Sequence, residues 1–90
     1  MIIKGLNFIK ICGACPEQYD VQDSNGNQAG YICLQHGKLY CDYPDIGGET
    51  IYSTYLNNER MGCFENKDQR KFYLNDIADK LLEKINKVAQ

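Results

Sequence analysis

The chain has 90 residues, 43% hydrophobic and 24% charged, with 10 basic and 12 acidic side chains and a formal net charge of −2. That length supports one hydrophobic core and one domain spanning residues 1–90, and the balance of apolar and charged residues excludes a disordered or fibrous chain. A slightly acidic protein has no cationic field to gather a phosphate backbone, which argues against nucleic acid as a partner. No run approaches the ~18 consecutive apolar residues of a membrane span, and Met1-Ile2-Ile3-Lys4-Gly5-Leu6 lacks the layout of a secretory signal, so a cytoplasmic protein is expected.

In chain order, residues 6–12 read as a first strand and Tyr19-Asp20-Val21 as part of a second. Asn25-Gly26 then marks a hairpin, because a two-residue type I′ turn needs positive φ at both central positions. His36-Gly37 is a second two-residue turn, His entering that region more readily than most side chains. Counting outward from these turns sets Tyr19 opposite Ile32, Val21 opposite Gly30, Ile32 opposite Cys41 and Leu34 opposite Leu39. Directly opposed side chains share a face. One face therefore collects Tyr19, Val21, Ile32, Leu34, Leu39, Cys41 and Tyr43 and is expected to be core. The other collects Gln18, Asp20, Gln22, Tyr31, Cys33, Gln35, Lys38, Tyr40 and Asp42 and is expected to be wet.

Residues 50–56, Thr-Ile-Tyr-Ser-Thr-Tyr-Leu, are β-branched and aromatic after the Gly47-Gly48 break and read as a further strand. A polar loop is expected over 57–67. Leu74, Ile77, Ala78, Leu81, Ile85 and Val88 recur at helical spacing with charges on the opposite side, predicting a helix at about 68–88, capped by Asn66 or Asp68. The expected fold is α+β: an antiparallel meander of four to five strands within about 6–56, with the C-terminal helix packed on its apolar face.

Of five cysteines, Cys12 and Cys15 form a C-x-x-C pair followed by Pro16. A structural zinc held by Cys12 and Cys15 needs two further ligands from Cys33, Cys41, Cys63 and His36, yet the register sends Cys33 and Cys41 to opposite faces. A dithiol oxidoreductase needs a helix after the second cysteine, and Tyr19-Asp20-Val21 reads as strand instead. Reduced thiols without a cofactor are the expectation, with zinc at Cys12 and Cys15 as the alternative. Asp42, Asp45 and Glu49 around the glycine pair read as a solvated turn, and no set of catalytic residues stands out, so an enzyme is not expected.

The chain also carries seven tyrosines. Tyr31 and Tyr40 fall beside Cys33 on the wet face, and Tyr52 is placed in the same row. Tyrosine supplies contact area at small entropic cost and is enriched where proteins meet. Tyr31, Cys33, Tyr40 and Tyr52 are therefore the candidate protein-interface residues, for another protein or for a homodimer.

The run Cys12-Gly13-Ala14-Cys15-Pro16-Glu17-Gln18-Tyr19-Asp20-Val21, with Gly30-Tyr31, His36-Gly37, Tyr43-Pro44-Asp45 and Gly47-Gly48, resembles a group of small uncharacterised proteins of bacterial phages and mobile elements. The likeness covers about residues 8–56 and a helix of similar placement. It implies a mobile-element accessory protein and assigns no activity and no site residue.

Overall fold

The structure, a computed structural model, describes residues 1–11, 15–56 and 59–88. It is an α+β fold. Six strands, β1 (Ile2–Ile3), β2 (Leu6–Lys10), β3 (Glu17–Gln22), β4 (Gln28–Gln35), β5 (Lys38–Tyr43) and β6 (Glu49–Tyr55), pair antiparallel in sequence order, and one helix, α1 (Lys67–Val88), follows. The expected four to five strands become six. Lys4 and Gly5 both take positive φ and join β1 to β2 in a two-residue turn, a conformation that a lysine seldom announces.

The inner face of the sheet packs on α1. Phe8, Tyr19, Val21, Ile32, Leu34, Leu39 and Cys41 alternate along their strands and meet Leu74, Ile77, Ala78 and Leu81 of the helix in one cluster. The helix packs tightly over Gly30, where a Cβ would stand 3.1 Å and 3.2 Å from the two Leu81 methyl carbons. Asn66 caps α1: its Oδ1 accepts the Gln69 N–H at 2.8 Å, while Gln69 Oε1 reaches back to the Glu65 N–H at 2.8 Å. The first bond satisfies one of the N–H groups that a helix start leaves without an intrahelical partner, and the second ties the residue before the cap to the first turn.

The register agrees with expectation through the sheet body: Tyr19 opposes Ile32, Val21 opposes Gly30, Ile32 opposes Cys41 and Leu34 opposes Leu39. His36 and Gly37 form the expected two-residue turn with φ of 53° and 75°. The Asn25-Gly26 turn differs. Among the described residues Asn25 is not a positive-φ position; Gly26 alone there has φ of 82°, and its N–H donates to the Asp23 carbonyl at 3.0 Å. Asp23 Oδ1 accepts the N–H groups of Asn25 and Asn27, both at 2.9 Å, a side-chain turn of the kind aspartate favours. The longer loop offsets the pairing by one residue, and a bulge at Ala29 between the Gln22–Gln28 and Val21–Gly30 pairs restores it.

Part of the expected loop at 57–67 lies outside the described residues, and the rest is not polar cover throughout. Met61 and Phe64 are buried. The Gly37 N–H donates to the Met61 carbonyl at 2.8 Å and the Glu17 N–H to the Gly62 carbonyl at 2.6 Å, so this segment seals one end of the core. Cys15 and Cys63 form a disulfide there, with Cα atoms 5.4 Å apart although the two residues are 48 apart in sequence. That corrects the expectation of a reduced Cys15: its partner lies on the sealing segment, a tertiary neighbour that no local spacing could reveal. Cys12, the other half of the C-x-x-C pair, lies outside the described residues.

Candidate functional site

The outer face of the sheet carries the expected site. Because α1 lies inside, no second layer of secondary structure covers this face among the described residues. The register lays its side chains in cross-strand rows. One row runs Ile9, Asp20, Tyr31, Asp42, Thr50; the next runs Ile11, Gln18, Cys33, Tyr40, Ser53; Gln35, Lys38 and Tyr55 continue toward the hairpin end. Tyr31 and Tyr40 therefore stand diagonally across Cys33, their rings 6.4 Å apart and tilted by 55°.

The centre of this face is not wet. Tyr31 is 7% exposed and Cys33 3%, Asp42 is buried and Tyr40 half-buried. This corrects the solvated reading of the face. Tyr40 stands directly opposite Cys33 and Tyr31 two residues before it on the same strand, so two large rings on the diagonal, a spacing still within aromatic reach, flank the small thiol. Burial, followed by the neighbouring Cys33, pushes the Tyr31 hydroxyl up to about 12, and burial with Cys33 pushes the Tyr40 hydroxyl up to about 12 as well. Both phenols stay protonated at neutral pH and keep an O–H to donate.

Around that centre the face is polar and carries both signs. Lys38 sets its Nζ 5.9 Å from the ring centroids of both Tyr40 and Tyr55. Asp42 accepts from the Thr50 hydroxyl at 2.6 Å and from the Gly47 N–H at 3.3 Å, and Gln28 donates to Asp20 at 3.0 Å. Exposed apolar groups flank it: Ile9 and Ile11 on the β2 side and Tyr55, 72% exposed, on the β6 side.

Tyr52 does not belong to this row. It opposes Cys41 and packs on the inner core, with its hydroxyl 3.5 Å from Asp76 of α1. The tyrosine of β6 on the outer face is Tyr55, opposite Lys38. A signal for this existed: residues three apart on a regular strand point to opposite faces, so Tyr52 and Tyr55 cannot share one. The bulge at Ile51, between the Cys41–Tyr52 and Asp42–Thr50 pairs, hid which of the two faced outward.

A second polar centre went unforeseen. Glu17, 1% exposed, is gripped from three directions. Arg70 Nε and Nη2 donate to its two carboxylate oxygens at 2.6 Å and 3.3 Å, the Phe64 N–H donates at 3.1 Å, and the Tyr19 hydroxyl donates as well. Burial alone would raise this carboxyl; the bonds from Arg70, Tyr19 and Phe64 outweigh it and hold Glu17 below its ordinary value of 4.5. Glu17 shares the alternation that buries Tyr19 and Val21, and an acid on a core row predicts a buried partner. With every lone pair engaged, the centre is a structural tie between β3, the 61–64 segment and α1.

The cysteines divide by place. Cys33 and Cys41 are buried thiols on opposite faces, and burial with the adjacent Asp42 pushes the Cys41 thiol up to about 12. The acids at the glycine turn are engaged locally: Asp42 as above, Asp45 with the Ile46 N–H at 2.7 Å, and Glu49 with Lys84 at 3.2 Å. Among the described residues no group of three potential ligands is placed to hold a metal ion, and no helix is long and apolar enough to cross a membrane. No protein-family model matches the sequence, and no curated protein or solved structure matches it significantly.

Proposed function

We propose that this protein is a small interaction module that binds another protein through the outer sheet face centred on Tyr31 and Tyr40. The observation that supports this is the composition of that face: an aromatic, shielded centre, a rim of both charges in Lys38 and Asp20, and exposed Ile9, Ile11 and Tyr55. Protein interfaces combine an aromatic centre with a polar rim in this way. The resemblance to phage and mobile-element proteins gives such a module a biological setting, that of an accessory protein acting on a host or phage protein inside the cell.

Site-specific photo-cross-linking tests the reading. A photoreactive residue at exposed Gln35 on the outer face should trap one discrete partner in expressing cells, and the same residue at exposed Lys80 on α1 should not. Equal trapping from both positions, or trapping from Lys80 alone, would move the binding surface elsewhere.

A further inference from the structure

A cleft lies between edge strand β1 and the first turns of α1. It has a volume of about 520 Å³ and is lined by Met1, Ile2, Ile3 and Lys4 on one side and by Lys67, Arg70, Lys71 and Asn75 on the other. Volumes of roughly 300–1,000 Å³ belong to small-molecule sites.

The two sides differ in chemistry. The β1 side presents Met1 and Ile2, 58% and 68% exposed, beside buried Ile3. The α1 side presents only cations and one amide, with no acid in the lining. Two of the four cations are already neutralised: Lys4 bonds Asp79 at 2.5 Å and Arg70 bonds Glu17. Lys67 and Lys71 are exposed, lie one helical turn apart, and have no acidic partner among the described residues. The acids Asp68, Asp76 and Asp79 line a neighbouring depression with Phe72 that shares Lys71 and Asn75 with the cleft, and none of them forms a salt bridge with Lys67 or Lys71. In a chain that is acidic as a whole, two unneutralised lysines beside exposed aliphatic surface form a local site of opposite sign.

We propose that this cleft binds a medium-chain aliphatic carboxylate, its tail against Ile2 and Ile3 and its carboxylate between Lys67 and Lys71. A simple inorganic anion would leave the aliphatic wall in water, and a neutral chain would desolvate the lysines without pairing them. A peptide adding to the sheet is disfavoured because β1, with two residues, is too short an edge to template a strand.

The test is titration of the full chain with decanoate, decanol and acetate, followed by backbone amide NMR. Decanoate should bind saturably, shift the amides of residues 2–4 and 67–75, and bind at least about tenfold more tightly than either control. Lys67→Glu with Lys71→Glu should weaken decanoate by about tenfold or more with the melting temperature preserved, as expected of exposed positions. Ile2→Ser should weaken it without altering acetate. Decanol binding as tightly as decanoate, decanoate unaffected by the lysine pair, or shifts confined to the outer sheet face would each overturn the proposal.

Discussion

The two faces of one sheet solve burial differently. The inner face follows alternation apart from the bulges at Ala29 and Ile51, and its large side chains share one core cluster with α1, Met61 and Phe64; Val21, Ile32, Leu34, Leu39 and Cys41 are completely buried. The outer face has no covering layer of secondary structure, yet its centre is almost as dry, because Tyr31 and Tyr40 lie against each other across Cys33. A helix supplies the second layer on one side, while tyrosines shield the other and leave a charged rim around it. Core and binding face are thus separable, and substitutions should sort by face.

The largest effect should come from the charged tie at the end of the inner face. Glu17→Ala should cost about 3–5 kcal/mol in urea unfolding, because it leaves Arg70 without its partner and removes the acceptor of the Tyr19 hydroxyl and the Phe64 N–H. That is a large share of a stability of about 5–15 kcal/mol. The sign of its pH dependence follows from the lowered carboxyl. Glu17 contributes its full stabilisation above 4.5, its ordinary value, and loses it as the pH falls through its lower value in the folded protein. Thermal melts from pH 7 downward should therefore show an acid loss that Glu17→Gln flattens; a Gln variant with an unchanged acid profile would remove Glu17 from the account.

Leu81→Ala should follow at about 2–5 kcal/mol, since Leu81 is fully buried where the helix meets Gly30. A loss below about 0.5 kcal/mol, the level of a surface change, would mean the helix does not pack as described. Reducing the Cys15–Cys63 bond should cost about 2–4 kcal/mol, read from denaturation with and without reductant, because it releases a long loop in the unfolded chain. Smallest should be Tyr55→Ala, at about 0.5 kcal/mol or less for a residue 72% exposed. If Tyr55→Ala instead cost as much as Leu81→Ala, the outer face would be a second core and the contrast between faces would fail.

What sequence could disclose follows from how local each determinant is. The meander, the helix and the pairing of β3, β4 and β5 were legible because alternation and the His36-Gly37 turn are local signals that agree with one another. The β1–β2 hairpin was missed because Lys4 gives no warning of positive φ. Bulges at Ala29 and Ile51 are set by turn geometry and neighbouring strands, so the wrong tyrosine of β6 was assigned outward. The Cys15–Cys63 pair and the grip of Arg70 on Glu17 join residues 48 and 53 apart in sequence, separations at which spacing carries no information. For the site, Tyr31, Cys33 and Tyr40 were legible as a group; their mutual shielding was not, because it depends on ring size and cross-strand distance rather than on polarity.

The most direct test of the separation between core and binding face uses Tyr40→Ala combined with Tyr55→Ala, with the photoreactive residue kept at Gln35. The account predicts that the double variant keeps a single cooperative unfolding transition, at reduced stability, and loses the trapped partner. A partner trapped as efficiently by the folded double variant as by the parent would contradict the assignment of the Tyr31–Tyr40 face as the binding surface.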